Sequence, residues 1–172
     1  MPIELSVLAS LAAVAVLLAV SAFFSSTEIA LFSLTPDRLD ALAAGDDRGP
    51  ALKRLREDPH RLLVTILVGN NLVNIAVSSI LTVILVAYLP PELAVVGTTL
   101  VATSLVLVCG EILPKSWGLA NAESWALTAA RPLKYVGLAL WPLVAFFDAL
   151  TRGVAGATGG SPDIEQELLE ED

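Results

Sequence analysis

Cysteine and histidine are almost missing from this chain, with one of each in 172 residues. Cys109 has no partner for an intrachain disulfide and reads as a buried thiol in a helix. With His60 as the only other soft ligand, a zinc or copper site has almost nothing to hold it. Charge is scarce as well, at 16% of residues against 55% hydrophobic. That balance is wrong for a soluble domain of this length. No basic stripe suggests nucleic-acid binding. Basic residues are also missing before the first apolar run, where Met1-Pro2-Ile3-Glu4 carries only an acid. A signal peptide would have a basic leader and a shorter core, so this run is expected to stay in the protein.

Long apolar runs are what the chain has in place of charge. They cover about residues 5–33, 62–89 and 93–113. At about 1.5 Å of rise per residue, each is long enough for a hydrocarbon core of about 30 Å. The expected fold class is an all-α integral membrane protein with three transmembrane helices per protomer. The net charge of −8 comes largely from the tail, where six of the 18 acids fall in the last ten residues.

All ten Lys and Arg residues lie either between the first and second runs (Arg38 to Arg61) or after the third (Lys115, Arg131, Lys134, Arg152). The turn Pro90-Pro91-Glu92 has none. By the positive-inside rule, the N-terminus is expected outside, and the first loop and the C-terminus in the cytoplasm of a multi-pass cell-membrane protein. The first loop has helical patterning broken at Gly45–Pro50, which predicts two short helical pieces.

Residues 117–150 are expected as juxtamembrane helices lying at the interface, a depth that suits Trp117, Trp125 and Trp141. Within them, 133–150 carries Pro142 and Asp148 and is flanked by basic residues on both sides. A re-entrant or fourth spanning helix stays open there. The membrane domain is thus read as residues 1–154. A flexible linker and a short acidic cytosolic helix, started by Ser161-Pro162, follow over 155–172.

Polar residues inside the runs fall on stripes, because helical positions three, four or seven apart share a face. Ser21, Ser25 and Glu28 align in the first run, and Asn70 and Asn74 in the second, with Asn71 and Ser78 alongside. In the third, Ser104 lies seven residues before Glu111, beside Gly110. A carboxylate in a membrane helix is expensive and needs a cavity, a partner or a cation. Pro114 has no N–H, so the Gly110 carbonyl four residues back loses its α-helical donor. Broken transporter helices use such carbonyls to hold cations. The resulting set is hydroxyl, amide, carbonyl and carboxylate oxygen, which suits magnesium, calcium, sodium or manganese. Simpler readings stand beside it. Serines bond their own backbone or let helices approach, asparagines bond between helices, and Glu111 can pair with Lys115 four residues on.

Three phrases carry a family likeness: Ser21-Ala22-Phe23-Phe24-Ser25-Ser26-Thr27-Glu28, Gly69-Asn70-Asn71-Leu72-Val73-Asn74, and Cys109-Gly110-Glu111-Ile112-Leu113-Pro114-Lys115. With them the sequence, over about residues 6–154, resembles the CorC/cyclin M family of membrane magnesium transport proteins. The resemblance implies a homodimer in the lipid bilayer that exports Mg2+ from an inward-facing pocket, in exchange for Na+. It also implies that Ser21, Ser25, Asn70, Asn74, Gly110 (through its carbonyl) and Glu111 line that pocket, with Glu28 outside the primary shell. The protein is therefore expected to be a transporter and not an enzyme. The alternative is a membrane-embedded Mg2+ sensor or anchor without transport of its own. Members of the family continue into a cytosolic regulatory module that binds nucleotide; this chain is expected to be the membrane domain without it.

Overall fold

Apolar side chains on every face, with few breakers, make the first run one uninterrupted helix, α1 (Pro2–Phe32). In the computed structural model, which describes residues 2–158, every element among the described residues is helical. After α1 come α2 (Pro36–Gly45) and α3 (Gly49–Arg56), then α4 (Pro59–Val86) and α5 (Pro91–Leu105). A π-helical segment (Val106–Ile112) leads into α6 (Leu113–Ala120), followed by α7 (Ala122–Ala139) and α8 (Trp141–Thr158). Three helical stretches have the length and composition to cross a membrane: Leu5–Phe32, Pro59–Val86 and Pro91–Ala120.

The third stretch departs from expectation. It does not end at Leu113 but continues to Ala120, so the next helix begins at Ala122 and not near Trp117. The reason is local. Leu113 N–H bonds the Val108 carbonyl five residues back, closing a π turn, and Pro114 then falls in the first turn of α6. A proline is tolerated there because first-turn N–H groups have no intrahelical acceptor.

The helices form two compact units. In the first, α1 and residues 69–86 of α4 join α5, the π segment and α6. Its core is Val14 of α1, Val77 and Leu81 of α4, Ala102 of α5 and Val106 of the π segment. Aliphatic side chains on the outer faces, such as Leu8, Ile75, Val83 and Leu100, are exposed, as lipid-facing side chains must be. Helices in lipid gain little from apolar burial and rely on close packing of small residues. Gly118 shows this: an added Cβ would stand 2.8 Å from Ser26 Cα on α1.

The second unit contains α2, α3, residues 59–68 of α4, α7 from Leu127, and α8. The two short helices expected in the first loop are α2 and α3. Between them Asp46 accepts hydrogen bonds from Arg48 N–H (2.8 Å) and from the Arg48 guanidinium (2.9 and 2.8 Å). Those bonds hold its carboxyl well below the usual aspartate range. Helices α7 and α8 bend by 83° at Leu140, just before Pro142. Residues 133–150 are therefore not a straight spanning helix; among the described residues three helical stretches can span, or four if the bent pair counts as one broken span. Helix α8 runs to Thr158, and the acidic helix expected after Ser161 lies outside the described residues.

Two outcomes follow. Gly118→Ala should destabilise the protein in detergent by about 1–3 kcal/mol, the usual range for overpacking. Gly153→Ala, whose Cβ would meet nothing within 4 Å, should leave the melting temperature unchanged. A depressed folded-state pKa gives stability that is present above the unfolded value of 3.8 and lost as pH falls below it. Acid unfolding of Asp46→Asn should accordingly be less steep below pH 3.8 than that of the parent chain.

Candidate cation site

Ser21 lies two-thirds of the way along α1 and is 0% exposed. Its hydroxyl oxygen is 2.9 Å from Asn70 Oδ1 and 2.9 Å from Asn74 Oδ1. The two asparagines sit four apart on α4 and so share a face. Their amide nitrogens turn the other way and donate to a single carboxylate oxygen. Asn74 Nδ2 is 3.2 Å from Glu111 Oε1, and Asn70 Nδ2 is 3.5 Å from the same atom. An ionised carboxylate only accepts, so this contact fixes both amides with their oxygens toward Ser21. All three spans thus meet at one polar cluster.

Gly110 makes the meeting possible. A Cβ there would stand 2.7 Å from Ser21 Oγ, so any side chain would push the serine away. Gly69 plays a similar part, since a Cβ on it would collide with the Phe24 ring. The π segment supplies the aim. Its wide turn brings Gly110 inward and leaves Glu111 half-buried beside it.

Proton counting shows what is unusual here. A hydroxyl has one proton, and Ser21 faces two amide oxygens at 2.9 Å. One contact is a hydrogen bond; the other brings two lone-pair-bearing oxygens together with nothing between them. A buried group in that position is stabilised by a positive charge.

The structure brings Ser21, Asn70, Asn74, Gly110 and Glu111 together. Ser25 is treated differently: it is 0% exposed, one turn along α1 from Ser21, and its hydroxyl has no hydrogen-bond partner. Neighbouring Ser26 bonds the Ala22 carbonyl at 2.7 Å, the backbone reading that serines in helices invite. Ser104 does not join the cluster. It is exposed and bonds Leu100 O, because the intervening π segment breaks the seven-residue register that aligned it with Glu111. Ser78 likewise bonds backbone, at Asn74 O. Cys109, expected as buried, is exposed. The turn that directs Gly110 toward α1 faces its neighbour outward.

The four-residue spacing also offers Lys115 as a partner for Glu111. The structure pairs Lys115 Nζ with Glu28 Oε2 at 3.1 Å, between α6 and α1. That pair went unforeseen because no spacing within one helix reports it. An aromatic group joins α1, α6 and α7: Trp125 is edge-on to Trp117 (5.0 Å) and to Phe23 (6.0 Å).

Residues 12–172 match the family described as the cyclin M transmembrane N-terminal domain. The chain belongs to the cyclin M family. A chloroplastic DUF21 domain-containing protein of Arabidopsis thaliana is 35% identical over 145 residues, 84% of this chain and 22% of that protein. The UPF0053 inner membrane protein of Escherichia coli K12 is 33% identical over 146 residues, 84% of this chain and 34% of its own length. A UPF0053 protein of Haemophilus influenzae is 32% identical over 153 residues, 88% and 36% respectively. The chain therefore spans about a fifth to a third of these cyclin M-type relatives. Membership in the cyclin M family is consistent with a role in membrane transport.

A buried hydroxyl without a partner costs about 1–3 kcal/mol. Ser25→Ala should therefore raise the melting temperature of the protein in buffer without divalent ions. A fall comparable to that of a core truncation would show that the hydroxyl is satisfied.

Proposed function

We propose that this protein binds Mg2+ at the Ser21–Asn70–Asn74–Glu111 cluster and exports it across the membrane in exchange for Na+. The observation that carries the reading is the pair of 2.9 Å separations between Ser21 Oγ and the two amide oxygens. Octahedral Mg2+ takes oxygens at about 2.0–2.1 Å, so neighbouring ligands stand about 2.8–3.0 Å apart. Calcium, at about 2.3–2.6 Å, would spread octahedral neighbours to about 3.3–3.7 Å. The spacing fits the smaller ion without rearrangement.

Charge supports the same reading. Lys115 is occupied by Glu28, which leaves Glu111 as the cluster's carboxylate with only amide donors around it. One negative charge gives a site that holds Mg2+ with a net positive charge, or Na+ with none. Neither state traps the ion. The Gly110 carbonyl, deprived of its α-helical donor by Pro114, and the Ser25 hydroxyl add two further oxygens, and Mg2+ keeps water in the remaining positions. The protein works as a homodimer, with its N-terminus outside, its C-terminus in the cytoplasm, and the site open to the cytoplasm. The placement of Lys and Arg supports that orientation.

Calorimetric Mg2+ titration of the purified protein should show affinity falling about tenfold or more in Asn70→Ala and in Glu111→Ala, the scale of one lost charge-assisted contact. Ser25→Ala should weaken binding while leaving the fold intact. Unchanged affinity in Glu111→Ala overturns the site. In liposomes, Mg2+ flux driven by a Na+ gradient is expected. Binding without flux would instead assign the protein as a membrane-embedded Mg2+ sensor.

A further inference from the structure

The second compact unit holds a cavity of about 310 Å³ lined by the first turns of α4, the end of α3 and the second half of α7. Three cations face it: Arg54, Arg61 and Lys134. Among the described residues none of their side chains has a hydrogen bond or ion pair; Arg61 is bonded only through its backbone, its N–H donating to Asp58 Oδ1 at 3.0 Å and its carbonyl accepting from Thr65 Oγ1 at 2.8 Å. Three other basic residues of this unit are paired with acids. Lys53 lies 3.8 Å from Asp40, Arg48 pairs with Asp46, and Arg152 bridges Asp148 and Asp58.

Two acids also line the cavity. Asp58 is already committed, to the Arg61 backbone and to Arg152 at 3.4 Å. Glu57 has no such contact among the described residues, and it offsets one of the three cations. Three cations against two carboxylates, one of them drawn toward Arg152, leave a net positive charge on one concave surface. Like charges held together repel, and an anion with several acceptor oxygens relieves this. A phosphate meets two guanidinium groups and an ammonium with charge-assisted bonds.

The rest of the lining says what the phosphate is attached to. Leu62, Leu133 and Leu138 form apolar walls beside the cations. Arg61 is also the last charged residue of α4 before its apolar, spanning part begins. The cavity therefore stands at the level where a spanning helix passes from polar surroundings to hydrocarbon. We propose that it binds the phosphate headgroup of an anionic membrane phospholipid, with the cations on the phosphate and the leucines on the glycerol and first acyl carbons. Basic pockets at helix ends hold lipid headgroups by this chemistry. The site shares no residue with the cluster around Glu111 and does not depend on the identity of the transported ion.

The test uses the whole purified chain, stripped of lipid in detergent, with dihexanoyl-phosphatidylglycerol and inorganic phosphate as probes and native mass spectrometry as the readout. One saturable lipid adduct per chain is expected. Its affinity should fall about tenfold or more in the Arg54→Gln/Lys134→Gln double variant. Glu57→Gln should move affinity the other way, tightening it severalfold by removing a like charge, and so tests the site with a variant that does not weaken it. Asn70→Ala should bind the lipid as the parent does. Unchanged lipid affinity in both Arg54→Gln/Lys134→Gln and Glu57→Gln overturns the proposal. Displacement of the lipid by an equal concentration of inorganic phosphate overturns the lipid as the source of the anion.

Discussion

Close approach of α1 to the third span is the constraint on which the site depends. Lipid offers helices no hydrophobic reason to associate, so they approach only as far as their side chains permit. At Gly110 there is no Cβ to meet Ser21, and at Gly118 none to meet the Ser26 backbone. Serines and glycines thus bring the two helices within reach of a hydroxyl. Only at that distance can a side chain as short as Ser21 touch two asparagines that are themselves anchored on Glu111. Bulk at either glycine would dismantle the cluster without altering a single polar residue.

The charges are sorted with equal economy. A carboxylate within an apolar helix has a large solvation penalty, and the nearest cation in sequence is the natural way to relieve it. Here that cation is engaged elsewhere, by Glu28 on α1. The cross-helix pair does two things at once. It ties α6 to α1 one turn beyond Gly110–Glu111, and it keeps the ammonium away from the oxygens. Glu111 is left with two amide N–H donors, which orient it without neutralising it.

Much of this was legible in the sequence, and the failures share a cause. Spacing within single α-helices put Ser21 with Ser25 and Asn70 with Asn74, and the break at Gly45–Pro50 marked the gap between α2 and α3. Spacing failed for Ser104, and apolar composition failed for Cys109 and for the end of the third span. Each of those inferences passed through, or ended in, residues 106–114, where the hydrogen bonds reach five residues back. The apolar run ends at Leu113, but Pro114 falls just after a π turn, where a proline is tolerated, and the third stretch continues to Ala120. The Glu28–Lys115 pair was invisible for another reason. It depends on the register between two helices, which no periodicity within either one encodes.

The π segment has a mechanical meaning as well. A helix that pairs five back carries one residue more per turn than its α neighbours, a surplus that can be handed along the chain. Passing it one position onward rotates the residue it crosses by roughly 100° and shifts it by about 1.5 Å. Only local hydrogen bonds are exchanged, and the two ends of the helix stay where they are. Val106–Ile112 therefore works like a slack link in an otherwise rigid rod, and the one acidic side chain within it is Glu111.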